Sequence, residues 1–404
     1  MSHPTRRPLG LGLCFLTLTG VLAACGGDSG TDTSSSTTSS STGTGSATGS
    51  QTSSAADTGS GEKQSVKVQL QWVTQAQFAC YYAAKDQGLY DKYGLDVEIL
   101  PGATDIVPID VLTSGGADYA VSWVPKVLGA VEQGARVTDV AQIFQRSGTT
   151  QISFKDKNIT KPADLKGKKV GSWGYGNEFE LFAGMQKNGV QIKDIELVQQ
   201  AFDMNGFLSG DIDAAQAMTY NEYAQVLESK NPATGELYKP EDLNVINWND
   251  AGSAMLQDAI WADADKLAND EQYKKNTVNF IAGTIAGCAY ARDNAEQAAK
   301  IVTAAGSQLG ESHQLWMTNE INKLIWPSPN GAGMIDEAMW KQTVEISKGT
   351  KNESDATIIS ADPPADAYSN EYVTEALKLL EADGVDTKGS GFTGIDVTLN
   401  EGGK

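Results

Sequence analysis

From residue 66 the chain alternates two kinds of run. Short stretches rich in β-branched and aromatic residues (66–72, 95–100, 118–123 and 137–145) are separated by helical periodicity at 76–88, 105–114 and 125–134. The first helical run stops at Gly88 and Pro125 opens the third, as helix ends and starts prefer. A second set follows. Its strand-like runs are 168–173, 194–200, 213–218 and 243–248, and its helical runs are 177–188, 205–210 and 221–229. From 263 the pattern is mainly helical (263–304, 311–325, 334–348 and 370–382), with a short strand-like tail at 394–399. Strand and helix in alternation predict an α/β fold with a mostly parallel sheet covered on both faces. A helical third makes a poor core alone beside two sheets, so it is expected to pack back on the first set. The architecture predicted is two lobes, 64–152 with 257–404 and 153–256, joined by crossings near 145–154 and 254–262. The cleft between them is the expected site.

The N-terminal residues follow neither pattern. Arg6 and Arg7 precede an apolar run, 9–22, that is too short to span a bilayer. It ends Leu22-Ala23-Ala24-Cys25. Residues 26–63 are Gly, Ser, Thr, Ala and Asp with almost nothing apolar, a composition that cannot offset its ordering entropy. We read 1–24 as an export signal peptide and 25–63 as a flexible tether.

Charge and rare residues narrow the function. The formal net charge is −20, so the acidic surface argues against nucleic acid and against docking on anionic lipid by charge. The two histidines are His3 and His313, which excludes a multi-His metal site in the mature chain. No cofactor is assigned. The four cysteines have no zinc-type spacing. In an exported protein, Cys80 and Cys288 are left either to pair or to stay as buried thiols.

Ligands of α/β proteins sit where strands run out into helices. Trp72, Gln75 and Phe78 lie at the outlet of the first strand-like run, and Trp123 ends the third. A Trp there suits either a core or the floor of a flat polar ligand. Arg146, at the first crossing, suits an anion or carbonyl, or an ion pair with a lobe carboxylate. In the second lobe, Tyr175 and Asn177 lie in a Gly-rich turn whose backbone lets a ligand approach closely. Tyr220, Asn221 and Glu222 follow another strand-like run. At the second crossing Gln257 and Asp258 offer an amide and a carboxylate to ring N–H groups, although Asp258 also suits a hinge cap.

Several runs resemble known proteins. GLYDKYGLDVEIL, SGGADYAVSW, KPADLKGKKVGSWG and ARDNAEQAAKIV are similar to runs of periplasmic solute-binding proteins of the thiamine-precursor and sulfonate branch (ThiY, TauA and SsuA). WVTQAQFACYYAA, IFQRSGT, WGYGNEFEL, QAFDM, DAAQAMTYNEYAQVLE and AMLQDAIWA resemble its RibY-type riboflavin-binding members. Leu22-Ala23-Ala24-Cys25 resembles the bacterial lipoprotein box, which implies lipid on Cys25. The resemblance implies a type II periplasmic-binding-protein fold with two hinge crossings. It also implies a lipid-anchored protein of the outer face of the cytoplasmic membrane, a small-molecule ligand, ABC permease and ATPase partners, and no catalysis. Two departures bear on the ligand. The Cys-rich iron motif and active-site His of the pyrimidine synthases of this fold are missing. The Thr-Asn-His of thiamine-precursor binders is replaced by Thr74-Gln75-Ala76-Gln77.

Overall fold

The structure, a computed structural model, describes residues 63–404. The expected signal peptide, the expected tether up to residue 62 and the expected lipidation site Cys25 lie outside the described residues. Ten strands form in chain order: β1 (Gln64–Gln69), β2 (Leu95–Leu100), β3 (Tyr119–Trp123), β4 (Val137–Gln142), β5 (Thr149–Phe154), β6 (Lys169–Ser172), β7 (Glu196–Gln199), β8 (Ala215–Met218), β9 (Leu243–Asn247) and β10 (Asp258–Asp263).

The first lobe is built on a five-stranded sheet of order β2-β1-β3-β10-β4. β1 pairs in parallel with β2 and β3, while β10 runs antiparallel to both β3 and β4. Both faces are apolar and covered, as a largely parallel sheet requires. Along β10, Ile260 and Ala262 enter one core beside the helix Glu271–Asp293, and Ala259 and Trp261 enter another beside the helix Glu337–Gly349. The second lobe has the antiparallel sheet β8-β5-β9 and the parallel pair β6-β7, joined by a bridge between Val170 and Ala214. The second lobe thus mixes antiparallel and parallel pairing, while the mostly parallel order expected of the first set holds for β1, β2 and β3.

The helical C-terminal third packs on the first lobe. Glu271–Asp293 lies along Ala79–Asp86, close enough that a Cβ on Gly287 would stand 2.0 Å from the Cys80 carbonyl oxygen. Cys80 and Cys288 form a disulfide at this crossing. Two local expectations are corrected. The first strand ends at Gln69 rather than at Trp72, and residues 394–399 form no strand. Both crossings are strands, β5 and β10, each paired on both sides in its sheet.

Candidate ligand site between the lobes

The stretch after β1 is folded against the loop after β2. Leu70 N–H donates to the Leu100 carbonyl, and Gly102 N–H to the Trp72 carbonyl at 2.8 Å. A Cβ on Gly102 would lie 2.5 Å from backbone atoms of residues 70, 71 and 72, so only Gly lets the two loops meet this closely. This contact leaves Trp72 partly exposed at the lobe's edge. Its ring lies 4.9 Å from Phe202, which extends from the loop after β7 and stacks in turn at 6.4 Å on Trp173, the residue after β6. Trp173 is buried, and its indole N–H has no partner among the described residues.

Beneath this aromatic seam, Asp258 gathers donors. Antiparallel pairing sets it opposite Trp123. Its Oδ1 accepts from Gln71 Nε2 at 2.5 Å and Trp123 Nε1 at 2.8 Å, and its Oδ2 from Gln77 Nε2 at 2.9 Å. Gln75 stands one bond further back, donating to Gln77 Oε1 at 2.8 Å. Burial pushes the Asp258 carboxyl up to about 7, against these three donors and Lys126. Tyr220 reaches the same region from the second lobe. It meets the Phe144 ring edge-on at 6.3 Å. Burial raises Tyr220 well above an ordinary phenol, and the charges of Asp258 and Glu222 add to the rise.

Lys126 also spans the seam. Its ammonium stands 5.0 Å over the Trp123 ring, and its stem would meet a Cβ on Gly176 at 3.7 Å. Asn177 closes the Gly-rich turn. Its Nδ2 donates to the Gly174 carbonyl at 2.7 Å, and its own carbonyl accepts from Gln216 at 2.6 Å. Between Trp123, Asn177, Glu180 and Gln257 remains a cavity of about 10 Å³, close to the room one water needs. The lobes are therefore in contact throughout this seam.

Several sequence-nominated residues have other work. Phe78 is fully buried in the first-lobe core. Arg146 donates to the carbonyls of Leu324 at 3.3 Å and Pro327 at 2.9 Å, capping the helix Glu311–Ile325 at its negative end. Gln257 ties the crossings together. Its Oε1 accepts from Gly148 N–H, and its Nε2 donates to the Ser147 and Thr149 hydroxyls. Tyr175 is 86% exposed with φ 54°, on the surface rather than in the seam. Asn221 and Glu222 turn away toward His313: Asn221 Oδ1 lies 3.1 Å from His313 Nε2, and Asn221 Nδ2 donates to Glu222 Oε1 at 2.8 Å. Trp72, Trp123, Asp258, Tyr220, Asn177 and, behind them, Gln75 are thus brought together.

The nomination missed Gln71, Gln77, Lys126, Trp173, Phe202 and Glu180. Gln71 and Gln77 were legible as amides flanking Trp72. Glu180 was not, since nothing in FEL marks a carboxyl bound for burial. It accepts from Met255 N–H at 2.6 Å and Ser147 Oγ at 3.0 Å, and burial pushes it up to about 7.

This architecture is the α/β type II fold of periplasmic binding proteins. It matches the periplasmic aliphatic sulphonate binding protein SsuA of Escherichia coli with a TM-score of 0.53, 14% identity, and coverage of 83% of this chain and 93% of that one. Residues 75–298, more than half of the chain, match the family described as NMT1/THI5 like, and the chain belongs to that family. Among curated relatives, a putative thiamine biosynthesis protein of Haemophilus influenzae is 30% identical over 154 residues, 38% of this chain and 49% of the relative. A formylaminopyrimidine-binding protein of Halalkalibacterium halodurans is 27% identical over 190 residues, 46% of this chain and 57% of the relative. The chain thus spans about half the length of these two relatives. The riboflavin-binding protein RibY of Chloroflexus aurantiacus is 24% identical over 323 residues, 77% of this chain and 86% of that protein.

Proposed function

We propose that this chain is the solute-binding component of an ABC-type importer, lipidated at Cys25 and held outside the cytoplasmic membrane. It captures a small planar heterocycle, riboflavin or a related vitamin precursor, and delivers it to permease and ATPase subunits without making or breaking a bond. The observation that carries the reading is the seam itself. Trp72 of one lobe meets Phe202 of the other, Phe202 stacks on Trp173, and Trp123 donates to a buried acceptor, Asp258. Aromatic faces with a carboxylate acceptor suit a flat ring that carries N–H groups. A sulfonate is less well served, because Arg146 is spent on backbone carbonyls and the seam cation Lys126 already faces the carboxyls of Glu178 and Asp258. Likeness to RibY over most of the chain supports riboflavin, and likeness to the formylaminopyrimidine-binding protein keeps a pyrimidine as the alternative.

Capture proceeds by hinge opening about β5 and β10, entry of the ring beside Trp72, and closure of the second lobe. Closure follows ligand only if the ligand contacts both lobes, which Trp72 on one side and Tyr220 and Trp173 on the other provide. Riboflavin titration of the purified protein tests this. Saturable quenching of flavin and tryptophan fluorescence is expected. Silence with riboflavin, but a response to a pyrimidine or an alkanesulfonate, would overturn the ligand. Conversion of the bound molecule to product would overturn the binding role in favour of a synthase.

A further inference from the structure

The helix Glu311–Ile325 has two faces that serve different lobes. On one, Met317, Ile321, Leu324 and Ile325 enter the first-lobe core. From there Gln314 Oε1 accepts Ala76 N–H at 2.6 Å, and Met317 sulfur accepts Gln77 N–H at 3.1 Å. On the other, His313 is fully buried against the second lobe. Its Nδ1 lies 2.8 and 3.0 Å from the two Glu228 carboxylate oxygens, and its Nε2 lies 3.1 Å from Asn221 Oδ1. Three residues on, Trp316 Nε1 donates to the Thr219 carbonyl at 3.0 Å, and its ring stacks on Tyr223 at 6.1 Å.

The final residues make the same passage. Ile395 N–H donates to Asn319 Oδ1 at 2.9 Å. Leu399 then packs with Trp316 on the second-lobe core. Gly402 N–H donates to the Glu228 carbonyl at 3.1 Å, and Glu401 pairs with Lys230 at 2.7 Å. Gly403 (φ 73°) is buried between the lobes' contacts, where a Cβ would stand 3.1 Å from Glu228 Oε2 and 3.2 Å from His313 Cβ.

We propose that this helix and the strap 394–404 are a latch that holds the second lobe against the first, with His313 and Glu228 as its pin. Opening of the cleft must then break the His313, Trp316 and Gly402 bonds as well as bend β5 and β10. The latch also reaches the ligand stretch, since the helix that seats His313 fixes Ala76 and Gln77, and Gln77 holds Asp258. The ligand arm of the test rests on the capture role proposed above; the distance arm does not.

The test labels Lys67→Cys and Lys239→Cys, one exposed residue in each lobe, in the whole chain and measures their separation by pulsed electron spin resonance. Deleting 401–404, or introducing His313→Gln with the strap intact, is expected to lengthen the ligand-free distance. It is also expected to speed riboflavin release about tenfold, the scale of one or two lost hydrogen bonds. Wild-type distances in both folded variants would overturn the latch. Longer distances with no riboflavin binding in any form would retain the latch and overturn the ligand.

Discussion

Asp258 shows how one residue orders a site. Its carboxylate holds Gln71, Gln77 and Trp123 in place, so those side chains cannot re-aim independently. Because its folded value is raised to about 7, the folded protein binds a proton here that the unfolded chain releases near the ordinary carboxylate value. That contribution to stability is complete below about pH 4 and is lost as pH rises through about 7. Asp258→Asn is therefore expected to flatten the fall in urea midpoint between pH 5 and pH 8; an unchanged slope would assign it to other groups. Trp72 is the complementary residue. Partly exposed and bonded to nothing through its side chain among the described residues, it is expected to tolerate Trp72→Ala with an unshifted melting curve. Binding should weaken by about 1–3 kcal/mol, the scale of one ring stack. Unfolding of that variant would return Trp72 to the core.

At the level of elements, the loop junction at Gly102 is the most sensitive point. Gly102→Ala drives a methyl into backbone of residues 70–72. It is expected to cost about 1–3 kcal/mol in chemical denaturation and to shift the Trp72 emission. A variant with unchanged stability and emission would show that the loops can part. How much was legible divides along a physical line. β2 and β3 were read closely because turn residues bound them. From sequence β5 and β10 are legible only as crossings, because each is paired on both sides and buried on both faces. TTQISF and DAIWAD accordingly lack the alternation that marks a half-buried strand. The site divides likewise. Trp72, Trp123 and Asp258 sit at strand ends, which sequence can locate. Arg146 and Asn221 sit near strand ends too, but their partners come from the C-terminal helix and the residues just after it, 92 to 181 residues later, a pairing that local pattern does not encode.

At the scale of the molecule, the chain is tied together at long range. The Cys80–Cys288 disulfide spans 208 residues and fixes the helix Ala79–Asp86, which directly follows the site stretch, to the longest C-terminal helix. Reduction, or Cys80→Ala with Cys288→Ala, is expected to lower stability by about 2–5 kcal/mol. Interlobe distance should not change, because both cysteines lie within the first lobe. A change in that distance would show that the crossing also governs closure. The packing of Gly403 between Glu228 and His313 has a practical corollary for anyone handling this protein. Anything fused after the exposed Lys404 begins one residue from the close packing at Gly403. A C-terminal affinity tag or fluorescent reporter would thus act as a perturbant, biasing the population it was meant to observe. Labels placed upstream of β1 leave that seam untouched.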